Sequence, residues 1–110
     1  MSIVELHSKE ELYFILTHYP KVILLFYVVW RVECARYNYA FIQESRKRNN
    51  IGIIFVRINC DIFPDIQILY DVNILKTPVT LFIKDELINK KLIGEKSVTL
   101  TNYCIDFSGL

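Results

Sequence analysis

Cysteine is scarce in this chain of 110 residues, and the three present, Cys34, Cys60 and Cys104, are odd in number and widely spaced. That excludes the dense framework of a small secreted disulfide protein and a four-thiolate zinc site, and it makes reduced thiols the expectation. An excess of charge is missing too, with Lys plus Arg at 13 against 12 for Asp plus Glu. No long-range field therefore draws in nucleic acid or an anionic membrane, and a partner has to be held by local chemistry. No uninterrupted apolar stretch is long enough to span a bilayer. The opening "MSIVELHSKEELYF" carries early acids and lacks the basic and then apolar segments of a secretory leader, so a cytoplasmic protein is expected. His7 and His18 have no second ligand at metal spacing, and neither a metal nor another cofactor is predicted. Linkers, repeats and low-complexity stretches are also absent. What the chain has in quantity is apolar surface: 53% hydrophobic and 14% aromatic residues suffice for a packed core and exclude disorder as a description of the whole. Its length is that of one ordinary domain, so a single domain over 1–110 is expected.

Periodicity gives the order of elements. "IVEL" reads as a short strand. "SKEELYFILTHY" reads as a helix with Leu12, Ile15, Leu16 and Tyr19 on one face, started by Ser8 and Glu11 at capping-box spacing and stopped by Pro20. Val22 to Val29 is apolar on both faces, as a central strand covered by helices must be. A helix from Cys34 to about Arg48 follows, then a second buried strand in "IGIIFVRIN". "DIFPDIQILYDV" supplies a helix with Pro64 near its first turn and Ile66, Leu69 and Tyr70 facing inward. "TPVTLFIK" and "ELINKKLIG" read as an antiparallel hairpin about a tight turn at Asp85 and Glu86, with Lys90 and Lys91 protecting an edge. "SVTLTNYCIDF" closes the chain as a helix with Leu100, Tyr103, Cys104 and Phe107 on one face. The order β-α-β-α-β-α-β-β-α implies an α/β protein with a mixed central sheet flanked by helices.

That order, with Trp-x-x-x-Cys after the second strand and Thr-Pro opening the fourth, resembles the thioredoxin family over nearly the full chain. "LLFYVVWRVEC" is similar to the family's strand leading to Trp-Cys-x-x-Cys, and "FVRINCD" to its third strand and acidic exit. "KTPVTLFIKDEL" resembles the stretch around its cis-proline, and "LIGEKS" the glycine that closes its binding groove. The resemblance implies the thioredoxin fold, a cis bond before Pro78, and a groove formed by Trp30, Arg31, Val32, Thr77, Pro78, Gly94 and Glu95, in which the backbone of Thr77 pairs with an extended peptide.

The departures bear on chemistry. In the family's dithiol motif one thiolate attacks a disulfide and a second thiol resolves the mixed disulfide, so both sulfurs are needed. Arg31 stands at the first position, and arginine has neither a nucleophilic electron pair at physiological pH nor redox chemistry. Leu25 stands where the resemblance implies a buried acid that takes the resolving thiol's proton. The expected function is therefore binding of a protein or peptide partner without dithiol exchange. The alternative is a monothiol oxidoreductase or redox sensor using Cys34, which stands at a helix start near Arg31, a setting that favours thiolate chemistry where the sulfur is accessible. A half-buried structural thiol is the plainer reading of Cys34. Cys60 and Cys104 read as small core hydrophobes, Arg46 to Arg48 as a solvated helix end, Tyr37, Tyr39 and Phe41 as core packing, and Asp61, Asp65 and Asp71 as turn and helix-start residues.

Overall fold

The computed structural model describes residues 3–109. Strand β1 is Val4–Glu5, and helix α1, Lys9–His18, follows it. The Ser8 hydroxyl accepts the Glu11 N–H at 3.1 Å, while the Glu11 carboxylate reaches back to accept the N–H of His7 at 2.8 Å, a reciprocal pair that fixes where α1 begins. Strand β2, Lys21–Tyr27, is buried from Val22 onward on both faces. Helix α2 is Val32–Ser45, strand β3 Ile54–Asn59, helix α3 Pro64–Leu69, strand β4 Val79–Lys84, strand β5 Leu87–Ile93 and helix α4 Ser97–Ser108. Two single turns of 3₁₀ helix, Arg48–Asn50 and Ile74–Lys76, complete the set.

One five-stranded sheet runs in the order β1-β3-β2-β4-β5. β1, β3 and β2 are parallel, whereas β4 runs antiparallel to β2, and β5 to β4. Ile23 faces Phe55 on one side and Phe82 on the other, so these three side chains share a sheet face. Phe41 of α2 meets Phe55 edge-on at 5.3 Å, and Phe107 of α4 meets Phe82 at 5.4 Å, which puts α2 and α4 over that face. Phe26 lies on the other face and packs with Tyr70 beyond α3, and a Lys9–Asp65 ion pair at 3.0 Å joins α1 to α3. The mixed sheet between helical layers is the architecture expected from the sequence.

Several boundaries and faces differ from the sequence reading. β2 ends at Tyr27, short of Val29, and α2 begins at Val32, before Cys34, and ends at Ser45. That end tightens because the N–H groups of Arg46 and Lys47 bond to Gln43 and Glu44, three residues back. Tyr19, Tyr39 and Leu69 are exposed, not packed inward. Tyr39 sits between Tyr37 and Phe41, off the face those two bury, and Leu69 lies on α3 off the side that Ile66 buries. The β4–β5 turn holds both Asp85 (φ 50°) and Glu86 (φ 69°) in the left-handed region, the form that matches the twist of a two-residue hairpin.

Candidate functional site

Three register pairs gather the candidate site. Tyr27 faces Asn59 across β2 and β3, Phe26 faces Val79 across β2 and β4, and Val79 faces Ile93 across β4 and β5. Residues 28–32, 59–62, 74–78 and 93–95 therefore meet at one end of the sheet.

Arg31 is the N-cap of α2, in extended backbone, and contributes no side-chain cap. Its side chain turns toward the segment before β4 instead, and Nε donates to the carbonyl of Thr77 at 3.0 Å while Nη2 lies 3.4 Å from a Glu33 carboxylate oxygen. The Thr77–Pro78 peptide bond is cis, and Pro78 is buried. Thr77 does not present the free backbone edge expected of it. It is 1% exposed, its N–H points to the carbonyl of Ile74 at 3.4 Å, and its hydroxyl donates to the same oxygen at 2.7 Å. Gly94 donates its N–H to the carbonyl of Pro78 at 2.8 Å with φ at +96°. A Cβ there would meet nothing, so the backbone conformation rather than space asks for glycine.

The rims are held by polar contacts that the sequence did not indicate. Trp30, 55% exposed, donates Nε1 to Asp61 at 3.0 Å. Arg36 donates Nε to Glu95 at 2.8 Å, and its Nη2 meets the other carboxylate oxygen. That fork holds the Glu95 carboxyl below its ordinary 4.5. Around these contacts Val29, Val32, Ile62, Leu75 and Ile93 are all exposed, so apolar side chains from all four segments face solvent.

Cys34 occupies the third position of α2, its N–H bonded to the Arg31 carbonyl at 3.1 Å, and only 4% of it is exposed. It lines a cleft of about 190 Å³ with Tyr27, Val28, Val29, Ala35, Asn38 and Arg57. Two buried atoms in this lining, Asn38 Oδ1 and Arg57 Nε, have no hydrogen-bond partner among the described residues. The Arg57 guanidinium lies 4.3 Å from the centre of the Tyr27 ring and 3.5 Å from Glu5. Burial first, and then the hydrogen bond to Glu5, push the Tyr27 hydroxyl up to about 12. Leu25 is buried on β2, paired in register with Arg57 on one side and Thr80 on the other, and it brings no carboxylate beneath α2. Cys60 and Cys104 are buried free thiols, each pushed up to about 12 chiefly by burial, with Asp61 and Glu44 respectively adding to it. Among the described residues no cluster of three or more His, Cys, Asp or Glu comes together as a metal site, and no helix is long and apolar enough to cross a membrane.

The structure thus brings Trp30, Arg31, Val32, Thr77, Pro78, Gly94 and Glu95 to one end of the sheet, with Cys34 beneath the helix start. Asp61 was legible as the acidic exit of β3, though not as the partner of Trp30. Arg36 and Arg57 are single cations without a motif, and nothing in the sequence marks them.

No family model and no curated protein sequence matches the chain. Solved structures do. The thioredoxin Mala s 13 of Malassezia sympodialis superposes with a TM-score of 0.90 at 16% identity, over 97% of this chain and 91% of that one. The oxidised thioredoxin of Plasmodium falciparum gives 0.86 at 17% identity, over 97% and 99%. Mitochondrial thioredoxin 3 of Saccharomyces cerevisiae, in its oxidised form, gives 0.84 at 22% identity, over 94% of each chain. High TM-scores and near-complete mutual coverage agree across these likenesses, and the chain has the thioredoxin fold.

Proposed function

We propose that this thioredoxin-fold chain binds a partner polypeptide in the groove around Trp30 and Pro78 and carries out no dithiol exchange. The carrying observation is that the Arg31 guanidinium lies in the groove, bonded to Thr77, where dithiol chemistry requires an attacking sulfur. The exposed Trp30 and Val32 beside it supply apolar contact of the kind that anchors interfaces. Three buried free thiols suit a reducing compartment such as the cytoplasm. Affinity capture with the tagged chain tests the reading. A partner should be retained equally by the wild type and Cys34→Ser, and lost from Trp30→Ala. Loss on Cys34→Ser would mean that the contact runs through sulfur instead.

One observation favours a second reading, monothiol chemistry at Cys34: the residue sits in the first turn of α2 and lines an open cleft. Its 4% exposure weighs against that reading. Alkylation of the folded protein at neutral pH separates the two, because a monothiol enzyme needs Cys34 to react at least as fast as a free cysteine, whereas a buried thiol reacts only on unfolding.

A further inference from the structure

Pro78 carries no N–H, so the backbone group that this stretch can offer a chain lying alongside is the carbonyl of Thr77. Arg31 Nε already takes it, at 3.0 Å. A peptide N–H reaches that oxygen only when the guanidinium withdraws, and the withdrawal is unfavourable because a hydrogen bond from an ionised donor is replaced by one from a neutral amide. The side chain is only 22% exposed, so water does not fully compensate. Among the described residues its one ion-pair partner is Glu33 at 3.4 Å, while Asp61 accepts from Trp30 and Glu95 is paired with Arg36. A carboxylate brought by the ligand would offset the loss.

Resting on the peptide-binding reading, we infer that the groove takes an extended acidic peptide. Its backbone N–H replaces Arg31 on the Thr77 carbonyl, and an aspartate or glutamate beside an apolar residue receives the displaced guanidinium. Arg31 thereby closes the groove to neutral strands. An array of short extended apolar peptides carrying Asp, Asn, Lys or Ala at each position in turn, probed with the full chain, tests this. The wild type should prefer Asp over Asn at one position by about tenfold, the discrimination of one charge-assisted bond. Arg31→Ala should lose that preference and bind the neutral peptides more tightly. Equal binding of Asp and Asn peptides by the wild type, with both weakened by Trp30→Ala, overturns the acidic-ligand inference and leaves the groove standing. Binding no stronger than that of Trp30→Ala, by wild type and Arg31→Ala alike, overturns both. The Asp-against-Asn comparison uses the unaltered protein, so the inference remains testable whether or not the Arg31 variant folds.

Discussion

At the scale of single residues, two arginines tie together the loops at one end of the sheet by different means. Arg31 holds the Thr77 carbonyl, and Arg36 grips the Glu95 carboxylate through two nitrogens. The Arg36 contact lowers the Glu95 pKa below 4.5. A carboxylate with a depressed folded pKa adds stability that is complete above its unfolded pKa and is lost as pH falls through the folded value. The pair sits at the surface, where such bridges contribute little to global stability, so the readout has to be local. In an NMR titration the Glu95 side chain should have a midpoint below 4.5 that moves up to the ordinary value in Arg36→Ala. A wild-type midpoint at or above 4.5 would contradict the fork. The positions of Arg31 and Cys34 were legible in the sequence, because Trp-x-x-x-Cys fixes them against a strand and a helix start. Their contacts were not: Arg31 meets a carbonyl 46 residues away, and Trp30 meets a carboxylate 31 residues away. Such pairs exist only once the register of β2 with β3 and β4 is set.

At the scale of elements, α2 depends on a buried acid. Glu44 shares the inner face of the helix with Cys34, Tyr37 and Phe41, and its side chain is 4% exposed. It accepts hydrogen bonds from Thr101 of α4 at 2.6 Å and from Asn50 at 3.3 Å, and it pairs with Lys47. These contacts tie α2 to α4 and to the turn before β3. Glu44→Ala takes the acceptor from the Thr101 hydroxyl and leaves Asn50 only its bond to the backbone carbonyl of residue 44, and a loss of about 2 kcal/mol is expected. Urea unfolding should show it as a lower midpoint at unchanged slope; a midpoint equal to the wild type would mean that the contacts are solvated. The helical period alone places Glu44 inward, yet a glutamate between polar neighbours reads as solvent-facing, and its main partner lies 57 residues on. The sequence reading was right where period and caps agreed, as at the start of α1, which Ser8 and Glu11 fix. It overran where the last turn tightens into 3₁₀ geometry after Ser45, and it turned Leu69 inward on a helix whose buried side is that of Ile66.

At the scale of the whole molecule, the fold does two separable things. The strand order β1-β3-β2-β4-β5 brings four loops to one end of the sheet, whatever residues they carry. On the binding reading proposed for this chain, the Arg31 guanidinium stands where two-thiol exchange needs its attacking sulfur and Leu25 lies beneath, so that binding is separate from electron transfer by that route. Dithiothreitol-driven reduction of insulin tests that separation most directly, with wild type, Arg31→Cys and Cys34→Ser compared at equal concentration. The predicted result is a wild-type rate indistinguishable from dithiothreitol alone, with measurable catalysis appearing only in Arg31→Cys. Catalysis by the wild type at ordinary reductase speed, abolished in Cys34→Ser, would contradict it.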